Sequence, residues 1–303
     1  MCLNLENEIV KLKKDKDALI LAHLYQPKEI QQIADYVGDS YYLSEIGKKS
    51  DKQLLVVCGV TFMAESAKIL SPEKKVLYSS QTATCPMADM VTKEDILKLK
   101  EDYPNSKVVC YVNSSSEVKS VSDVCCTSSS AINIVSNIKE KDIIFVPDKN
   151  LGSYIANKVP EKNIILWSGY CPIHNNITLN DLDNFKLEMK DKPYKILVHP
   201  ECKKEICDKA SFVGSTKEII DFVGCDSSEN YLIVTECGVK YDLEMKYPNR
   251  NFYFLDMTCS NMKKTSLKSL YNTLKNLDNE VILSEDVIAG ASASLKNMLN
   301  LSI

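Results

Sequence analysis

Long apolar runs, a strong charge of one sign and low-complexity linkers are all missing from this sequence of 303 residues. No run approaches the roughly 18 apolar residues of a membrane-spanning helix. The net charge of -4 gives no sign of the basic stripe that usually binds a nucleic-acid backbone. Residues 1–17 are polar and lysine-rich without an apolar core, so we expect no secretory signal. These absences predict a cytoplasmic protein that binds neither membrane nor nucleic acid.

Histidine is scarce in this chain and cysteine is abundant. Three histidines stand beside twelve cysteines. In a reducing cytosol, such a cysteine count indicates metal binding, catalysis or buried apolar thiols more often than disulfides. Cys85, Cys171 and Cys259 are set apart from the others, because they occupy the same place in three copies of one repeated unit.

The repeat has a period of 88 residues, with two extra residues before the cysteine of the first copy. Solenoid and propeller repeats have periods of roughly 20–50 residues, so each copy here is long enough to be a domain. Polar residues recur at equivalent positions: His23, Tyr111 and His199; Tyr25, Asn113 and Glu201; and Ser40, Ser128 and Thr216. Three equivalent domains around a pseudo-threefold axis would bring three thiolates to one point.

Within each copy, short apolar runs alternate with segments long enough to be helices. The first run of each copy occupies residues 18–22, 108–112 and 196–198. Apolar runs of this kind are typical of strands that are buried on both faces of a parallel sheet. Their alternation with helices indicates βαβ units. We therefore predict an α/β fold of three pseudo-threefold-related, three-layer α/β/α domains with small parallel sheets and an active site at their junction.

The repeat also predicts where the domains begin and end. The predicted limits are residues 1–86 with 280–303 for the first domain, 87–172 for the second and 173–279 for the third. Residues 281–284 and 286–299 have the pattern of one extra strand and helix, which we expect to return to the first domain. The joins between copies are tight, so the three domains should behave as one rigid body.

The polar repeat positions follow the predicted strands, at the end where open parallel sheets bind ligands. Hydroxyl groups beside helix N-termini favour anions, although one serine before a helix is usually only a cap. Three such positions predict a carboxylate or phosphate pocket. His23 and His199 are candidates for binding carboxylates or moving protons. Glu201 is the candidate general base and Tyr25 a candidate proton relay, unless these residues merely hydrogen-bond the loop backbone.

Three thiolates near one axis are compatible with several structures. They could bind zinc with a fourth ligand, form one disulfide and one free thiol, hold an iron–sulfur cluster, or be buried cysteines retained by duplication. Structural zinc sites usually contain close cysteine pairs, which the repeated positions lack. A 4Fe–4S cluster can take one ligand from each of three distant segments, which leaves one iron open as a Lewis acid. His174, three residues after Cys171, could hydrogen-bond a cluster or a substrate.

Longer motifs surround these residues. They include Ala22-His23-Leu24-Tyr25-Gln26, Phe62-Met63-Ala64-Glu65, Cys85-Pro86-Met87-Ala88, Val146-Pro147-Asp148-Lys149-Asn150, Gly169-Tyr170-Cys171-Pro172-Ile173-His174, His199-Pro200-Glu201-Cys202, Gly214-Ser215-Thr216 and Cys259-Ser260-Asn261-Met262-Lys263. In these motifs the chain resembles the quinolinate synthases, the iron–sulfur enzymes of NAD biosynthesis, over essentially its whole length. The resemblance implies one 4Fe–4S cluster per chain, with Cys85, Cys171 and Cys259 as ligands and one open iron.

The resemblance also implies a reaction and a set of site residues. Iminoaspartate would condense with dihydroxyacetone phosphate to quinolinate, releasing phosphate and two waters, and the enzyme that supplies iminoaspartate would be a transient partner. The implied catalytic residues are Tyr25, Glu201, His23 and His199. The implied substrate contacts are His23, Ser40, Tyr111, Asn113, Ser128, His199, Glu201, Ser215 and Thr216, with His174 and Met63 in support.

Two other functions remain open at this point. One is a different open-cluster hydro-lyase that acts on a small polycarboxylate. The other is a non-catalytic iron–sulfur sensor. The ring of polar residues after the strands favours an enzyme over a sensor, because a sensor has no need of it. The two enzymes differ only in substrate, since hydroxyls such as Ser128 and Thr216 can receive either a phosphate or a carboxylate.

Overall fold

The computed structural model describes residues 2–190 and 192–301 and contains three sheets of four strands each. All the pairings within these sheets are parallel. The prediction of an α/β fold with three small parallel-sheet α/β/α domains is confirmed. No helix in the described part of the chain is both long and apolar enough to cross a membrane.

The first unit begins with a helix and alternates strands with helices. Its elements are α1 (Cys2–Asp15), β1 (Ala18–His23), α2 (Lys28–Ile33), β2 (Tyr36–Gly38), α3 (Ser40–Lys49), β3 (Leu54–Cys58), α4 (Thr61–Leu70) and β4 (Lys75–Tyr78). The strand order is β2-β1-β3-β4. Every residue of β1 and β3 is buried, because helices cover both faces of a parallel sheet.

The second and third units repeat this order. The second contains α5 (Lys93–Asp102), β5 (Lys107–Tyr111), α6 (Ser116–Val121), β6 (Val124–Cys126), α7 (Ala131–Asn137), β7 (Asp142–Val146), α8 (Lys149–Lys158) and β8 (Asn163–Leu166). The third contains α9 (Pro172–Asn175), α10 (Leu179–Met189), β9 (Lys195–Val198), α11 (Lys204–Cys207), β10 (Phe212–Val213), α12 (Thr216–Cys225), β11 (Asn230–Val234), α13 (Lys240–Lys246) and β12 (Asn251–Phe254). Their strand orders, β6-β5-β7-β8 and β10-β9-β11-β12, match that of the first sheet.

Two helices complete the chain, α14 (Leu267–Asn276) and α15 (Glu285–Leu301). Helices α5, α10 and α14 each begin at a capping box seven residues after one of the three repeated cysteines, at Thr92, Thr178 and Ser266. A capping box satisfies amide groups at the start of a helix and so fixes where it begins. Leu270 and Leu274 of α14 then pack into the core of the first unit. The chain therefore returns to its starting unit after the third copy.

The final segment divides between two units. The amide of Val281 donates to the carbonyl of Val76 at 2.9 Å, so this stretch joins the first sheet as expected. Helix α15 instead packs against α6 and β6, with Leu295 in the core of the second unit. A Cβ on Gly290 would lie 2.4 Å from the carbonyl oxygen of Ser120, so this close approach requires glycine. Helix α15 thus packs mainly on the second unit, although we expected it on the first, and the predicted domain limits stay a prediction.

Candidate active site and metal centre

The carboxyl ends of β1, β5 and β9 open into one cavity. Its lining includes ten residues that the sequence singled out: His23, Tyr25, Ser40, Tyr111, Asn113, Ser128, His199, Glu201, Ser215 and Thr216. The cavity volume is about 70 Å³, which is room for about five water molecules. A space of this size suits a small polar ligand. The roles predicted for these residues remain predictions.

His23 and His199 lie in the same kind of turn, one repeat apart. Each ring accepts a hydrogen bond at Nδ1 from the amide two residues later, from Tyr25 at 3.0 Å and from Glu201 at 3.3 Å. A neutral ring that accepts at Nδ1 carries its proton on Nε2. Burial lowers the pKa of His23 to about 3 and that of His199 to about 4. Both rings are therefore neutral near pH 7, and each has one N–H to donate.

Glu201 is a buried carboxylate held on several sides. Its Oε2 lies 2.8 Å from Nδ1 of His174 and 3.9 Å from Nδ1 of His199. Its backbone carbonyl accepts a hydrogen bond from the Asn150 amide at 2.9 Å. Burial raises the pKa of Glu201, but the neighbouring histidines and a hydrogen bond from Tyr111 outweigh burial and leave that pKa below its usual value. The carboxylate is therefore ionised and can accept a proton.

Tyr25 begins a chain of hydrogen bonds that ends at this carboxylate. Its hydroxyl lies 2.6 Å from Oγ1 of Thr216 and 2.9 Å from Oγ1 of Thr235. Thr235 is fully buried and lies 3.0 Å from Nε2 of His174, whose other ring nitrogen faces Glu201. Burial raises the pKa of Tyr25 well above its usual value. The phenol therefore stays protonated and connects to Glu201 through side chains alone.

The hydroxyl residues lie near helix N-termini, as the sequence indicates. Ser40 is the first residue of α3, after the cap Asp39. Ser215 caps α12, and its oxygen accepts the Glu218 amide, so this serine has the structural role that was the alternative to anion binding. Thr216 follows it and bonds Tyr25. Ser128 precedes α7 by three residues. The cavity therefore has hydroxyl groups from all three units on its wall.

The three repeated cysteines lie in loops with the same backbone bonds. In each loop, the carbonyl two residues before the cysteine accepts a hydrogen bond from a backbone amide in the turn after a neighbouring strand. The donors and acceptors are Thr61 and Ala83 at 2.8 Å, Lys149 and Gly169 at 2.8 Å, and Cys237 and Met257 at 3.0 Å. The carbonyl of each cysteine then accepts the amide four residues later: Asp89, Asn175 and Lys263. The repeat therefore extends to the geometry that presents each thiol.

The three repeated cysteines share an oxidation state and a degree of burial. All three are free, half-buried cysteines. Burial, with smaller contributions from the charges of Glu201 and Cys259, raises the pKa of Cys85 to about 12. Burial also raises the pKa of Cys171, to which the charge of Cys85 contributes. No disulfide joins any two of them, and burial favours the protonated thiol at each position.

Further ligand atoms lie beside Cys171. Its sulfur is 3.2 Å from Nδ1 of His174, and the ligand atoms of Cys171, His174 and Glu201 lie within 4.8 Å of one another. Met63 is buried in the apolar cluster against which Cys85 and Cys259 pack. Cys171 therefore has polar neighbours, whereas Cys85 and Cys259 share an apolar one.

Sequence reasoning missed several residues around the site. Thr235 links Tyr25 to His174, Asn150 holds the carbonyl of Glu201, and Lys263 pairs with the buried Glu236 at 3.0 Å. Asp148 and Glu236 accept the amides of Cys171 and Cys259. Asp148 and Glu236 are one repeat period apart, so the same alignment that identified the cysteines could have identified them. Thr235 gives no comparable signal, because the other copies have no hydroxyl at its position.

Comparison with known proteins gives consistent matches over almost the entire chain. The family model described as "Quinolinate synthetase A protein" matches residues 7–300. The quinolinate synthase of Clostridium novyi is 56% identical over 301 residues, which cover 99% of this chain and 100% of the relative. That of Clostridioides difficile is 53% identical over 304 residues, covering 99% and 98%. That of Caldicellulosiruptor saccharolyticus is 49% identical over 300 residues, covering 98% of each.

Proposed function

The chain belongs to the quinolinate synthase family, and we propose that it condenses iminoaspartate with dihydroxyacetone phosphate to quinolinate, acting as a transferase that releases phosphate and two waters. The observation that carries this proposal is the arrangement of three equivalent cysteine loops, with one of their thiols next to Glu201 in the wall of a polar cavity. The cavity supplies hydrogen-bond donors for anionic oxygens together with an ionised carboxylate and a protonated phenol.

We propose that Cys85, Cys171 and Cys259 hold one 4Fe–4S cluster. Three free thiols from three equivalent loops fit a cluster that takes one ligand from each. Such a cluster, with its fourth iron open, supplies Lewis-acid chemistry that helps a hydroxyl leave and polarises a carbonyl. A single metal ion on Cys171, His174 and Glu201 is the second candidate. It is disfavoured because His174 and Glu201 already bond each other at 2.8 Å, and because it leaves Cys85 and Cys259 without a role.

The side chains of the cavity divide into those that bind and those that move protons. Neutral His23 and His199 each offer an Nε2–H group to a carboxylate or carbonyl oxygen. The Asn113 amide and the hydroxyls of Ser40 and Ser128 can donate to the remaining oxygens. Because these donors are neutral, they hold an anion without placing a competing charge beside Glu201.

Two proton movements match two groups of the cavity. Forming a carbon–carbon bond next to an imine requires removal of a proton from carbon, and Glu201 is the ionised base available for it. Loss of water requires a proton on the departing hydroxyl. Tyr25 is the protonated donor, and its hydrogen bonds to Thr216 and Thr235 orient its hydroxyl. We also propose that the protein works in the cytoplasm, in transient contact with the enzyme that makes iminoaspartate.

Anaerobic reconstitution of single cysteine variants tests the proposal. Cys85→Ser, Cys171→Ser and Cys259→Ser should each lose iron, sulfide and quinolinate formation. Cys207→Ser is the matched control, because Cys207 is also a free, half-buried cysteine but lies outside the repeat. Full iron and sulfide content in all three variants would refute the cluster assignment. Turnover of another polycarboxylate, with none of iminoaspartate, would indicate the alternative hydro-lyase.

A further inference from the structure

We propose that Asp148 and Glu236 are positioning residues that hold two of the three cysteine loops in the form that binds the metal centre, whereas the first loop lacks this support. The inference rests on the proposed function only in assuming that the three loops bind a cluster. The carboxylate contacts themselves are features of the protein without any metal, so they can be tested separately.

The two carboxylates make the same pair of bonds. Asp148 caps α8, where its Oδ1 accepts the Leu151 amide at 2.7 Å, and its Oδ2 accepts the Cys171 amide at 2.8 Å. Glu236 precedes the turn Cys237–Val239, and its Oε2 accepts the Gly238 amide at 2.6 Å. Each side chain therefore uses one oxygen for the start of its own helical turn and keeps the other for a distant cysteine loop.

The second bond of Glu236 completes the correspondence. Its Oε1 accepts the Cys259 amide at 3.1 Å. Asp148 and Glu236 are 0% and 1% exposed, so water does not compete for either bond. A buried carboxylate left without its partners would be costly. The bonds therefore fix the backbone of the two cysteines, and with it the direction in which their sulfur atoms point.

The first copy differs at this position. Val60 stands one repeat before Asp148 and caps α4 without a side-chain hydrogen bond. A valine side chain has no oxygen, so it cannot hold the amide of Cys85. The loop of Cys85 has the backbone bonds that all three loops share, including that from Thr61 to Ala83, but no carboxylate at this position. The three thiols therefore share a position in the repeat but differ in how firmly their loops are held.

The two carboxylates also differ in charge balance. Lys263 lies 3.0 Å from Glu236 and offsets its charge. Within residues 2–190 and 192–301, no lysine or arginine lies within ion-pair distance of Asp148. In the described part of the chain, Asp148 is therefore held by the Leu151 and Cys171 amides, without a lysine or arginine as ion-pair partner.

Amide hydrogen exchange in the metal-free protein tests the bonds directly. In Asp148→Asn, the side chain keeps one acceptor oxygen for two amides, so exchange of the Cys171 amide should speed up about tenfold or more, while that of Cys259 is unchanged. Glu236→Gln should give the reverse, so each variant is the control of the other. Asp95→Asn, which weakens the cap of α5 without removing a bond to either cysteine amide, should change neither amide.

The reconstituted protein gives a second readout. Asp148→Asn and Glu236→Gln should each shorten the cluster's lifetime under chelator. Asp148→Glu, which keeps both acceptor oxygens, should restore part of that lifetime. Unchanged exchange of the Cys171 and Cys259 amides in both variants would overturn the inference. If Asp148→Asn does not fold, the Glu236→Gln exchange result decides. Failure of the wild-type protein to bind a cluster would refute the proposed function but leave the exchange test valid.

Discussion

Replacing Glu201 by glutamine removes the ionised carboxylate and leaves the shape of the side chain nearly unchanged. Glu201 is 3% exposed, with His174 at 2.8 Å and a hydrogen bond from Asn150 to its backbone. A glutamine there can still accept the hydrogen bond from His174, but it cannot take up a proton from substrate. The variant should therefore fold with the site geometry preserved and lose the base.

The expected magnitudes separate a chemical role from a structural one. Loss of a positioned general base typically costs about 100- to 10,000-fold in rate. The hydrogen bond from His174 to a charged acceptor contributes about 1.5–3 kcal/mol, part of which a neutral acceptor retains. The loss of stability in Glu201→Gln should therefore stay below about 3 kcal/mol, while kcat falls by at least about two orders of magnitude.

The assay measures quinolinate formation under anaerobic conditions, normalised to cluster content from iron and sulfide analysis. Thermal unfolding of the metal-free protein gives the stability of each variant. Glu205→Gln is the matched control, because Glu205 lies exposed in α11 four residues away and should be neutral in both measurements. A kcat within about threefold of the wild-type value, with the cluster intact, would refute the assignment of Glu201 as the base.

Three further results are expected. Tyr25→Phe should lower kcat about 100- to 10,000-fold with the cluster intact, whereas Ser128→Ala should mainly raise KM, because an anion contact acts on ground and transition states alike. The buried ring of His199, with its pKa lowered from 6.5 to about 4, stabilises the fold fully above pH 6.5 and progressively less as the pH falls towards 4. The His199→Gln variant removes this titrating group. Between pH 4 and 6.5, its unfolding free energy should therefore depend less steeply on pH than that of the wild type, by up to about 1.4 kcal/mol per pH unit. Denaturant unfolding of the metal-free protein measures this slope, and an unchanged slope contradicts the prediction. Leu295→Ala should destabilise the protein by about 2–5 kcal/mol in denaturant unfolding. Leu299→Ala, at an exposed position of the same helix, should cost less than about 0.5 kcal/mol. Equal effects would mean that α15 does not pack as described.

The fold could be predicted because the same pattern of apolar runs and helix-length segments occurs in three copies. The apolar run at 18–22 became the buried β1, and its counterparts at 108–112 and 196–198 fell on β5 and β9. The position of α15 could not be predicted in the same way. An apolar stripe indicates which face of a helix is buried, but not which of three similar sheets buries it. The structure places α15 on the second unit, where Gly290 contacts the Ser120 carbonyl and Leu295 enters the core.

The candidate site was predictable where side chains recur and unpredictable where backbone groups do the binding. His23 and His199 recur, and both line the cavity. Asp148 instead acts on the amide of Cys171, a group that every residue except proline has and that no sequence pattern displays. Thr235 was missed for a similar reason, since its role depends on hydrogen bonds to Tyr25 and His174, which are distant in sequence.

The repeat position two residues after His23, Tyr111 and His199 affects how a ligand is oriented in the cavity. A cavity with three identical walls would accept an asymmetric ligand in three equivalent poses, of which one is productive. Dividing binding among three poses costs RT ln 3, which is about 0.6 kcal/mol. Here the three equivalent positions are Tyr25, Asn113 and Glu201: a phenol, an amide and an acid. Triplication therefore supplied the walls of the cavity, and divergence at this position, the most varied of the three, distinguishes the directions in which a ligand can lie.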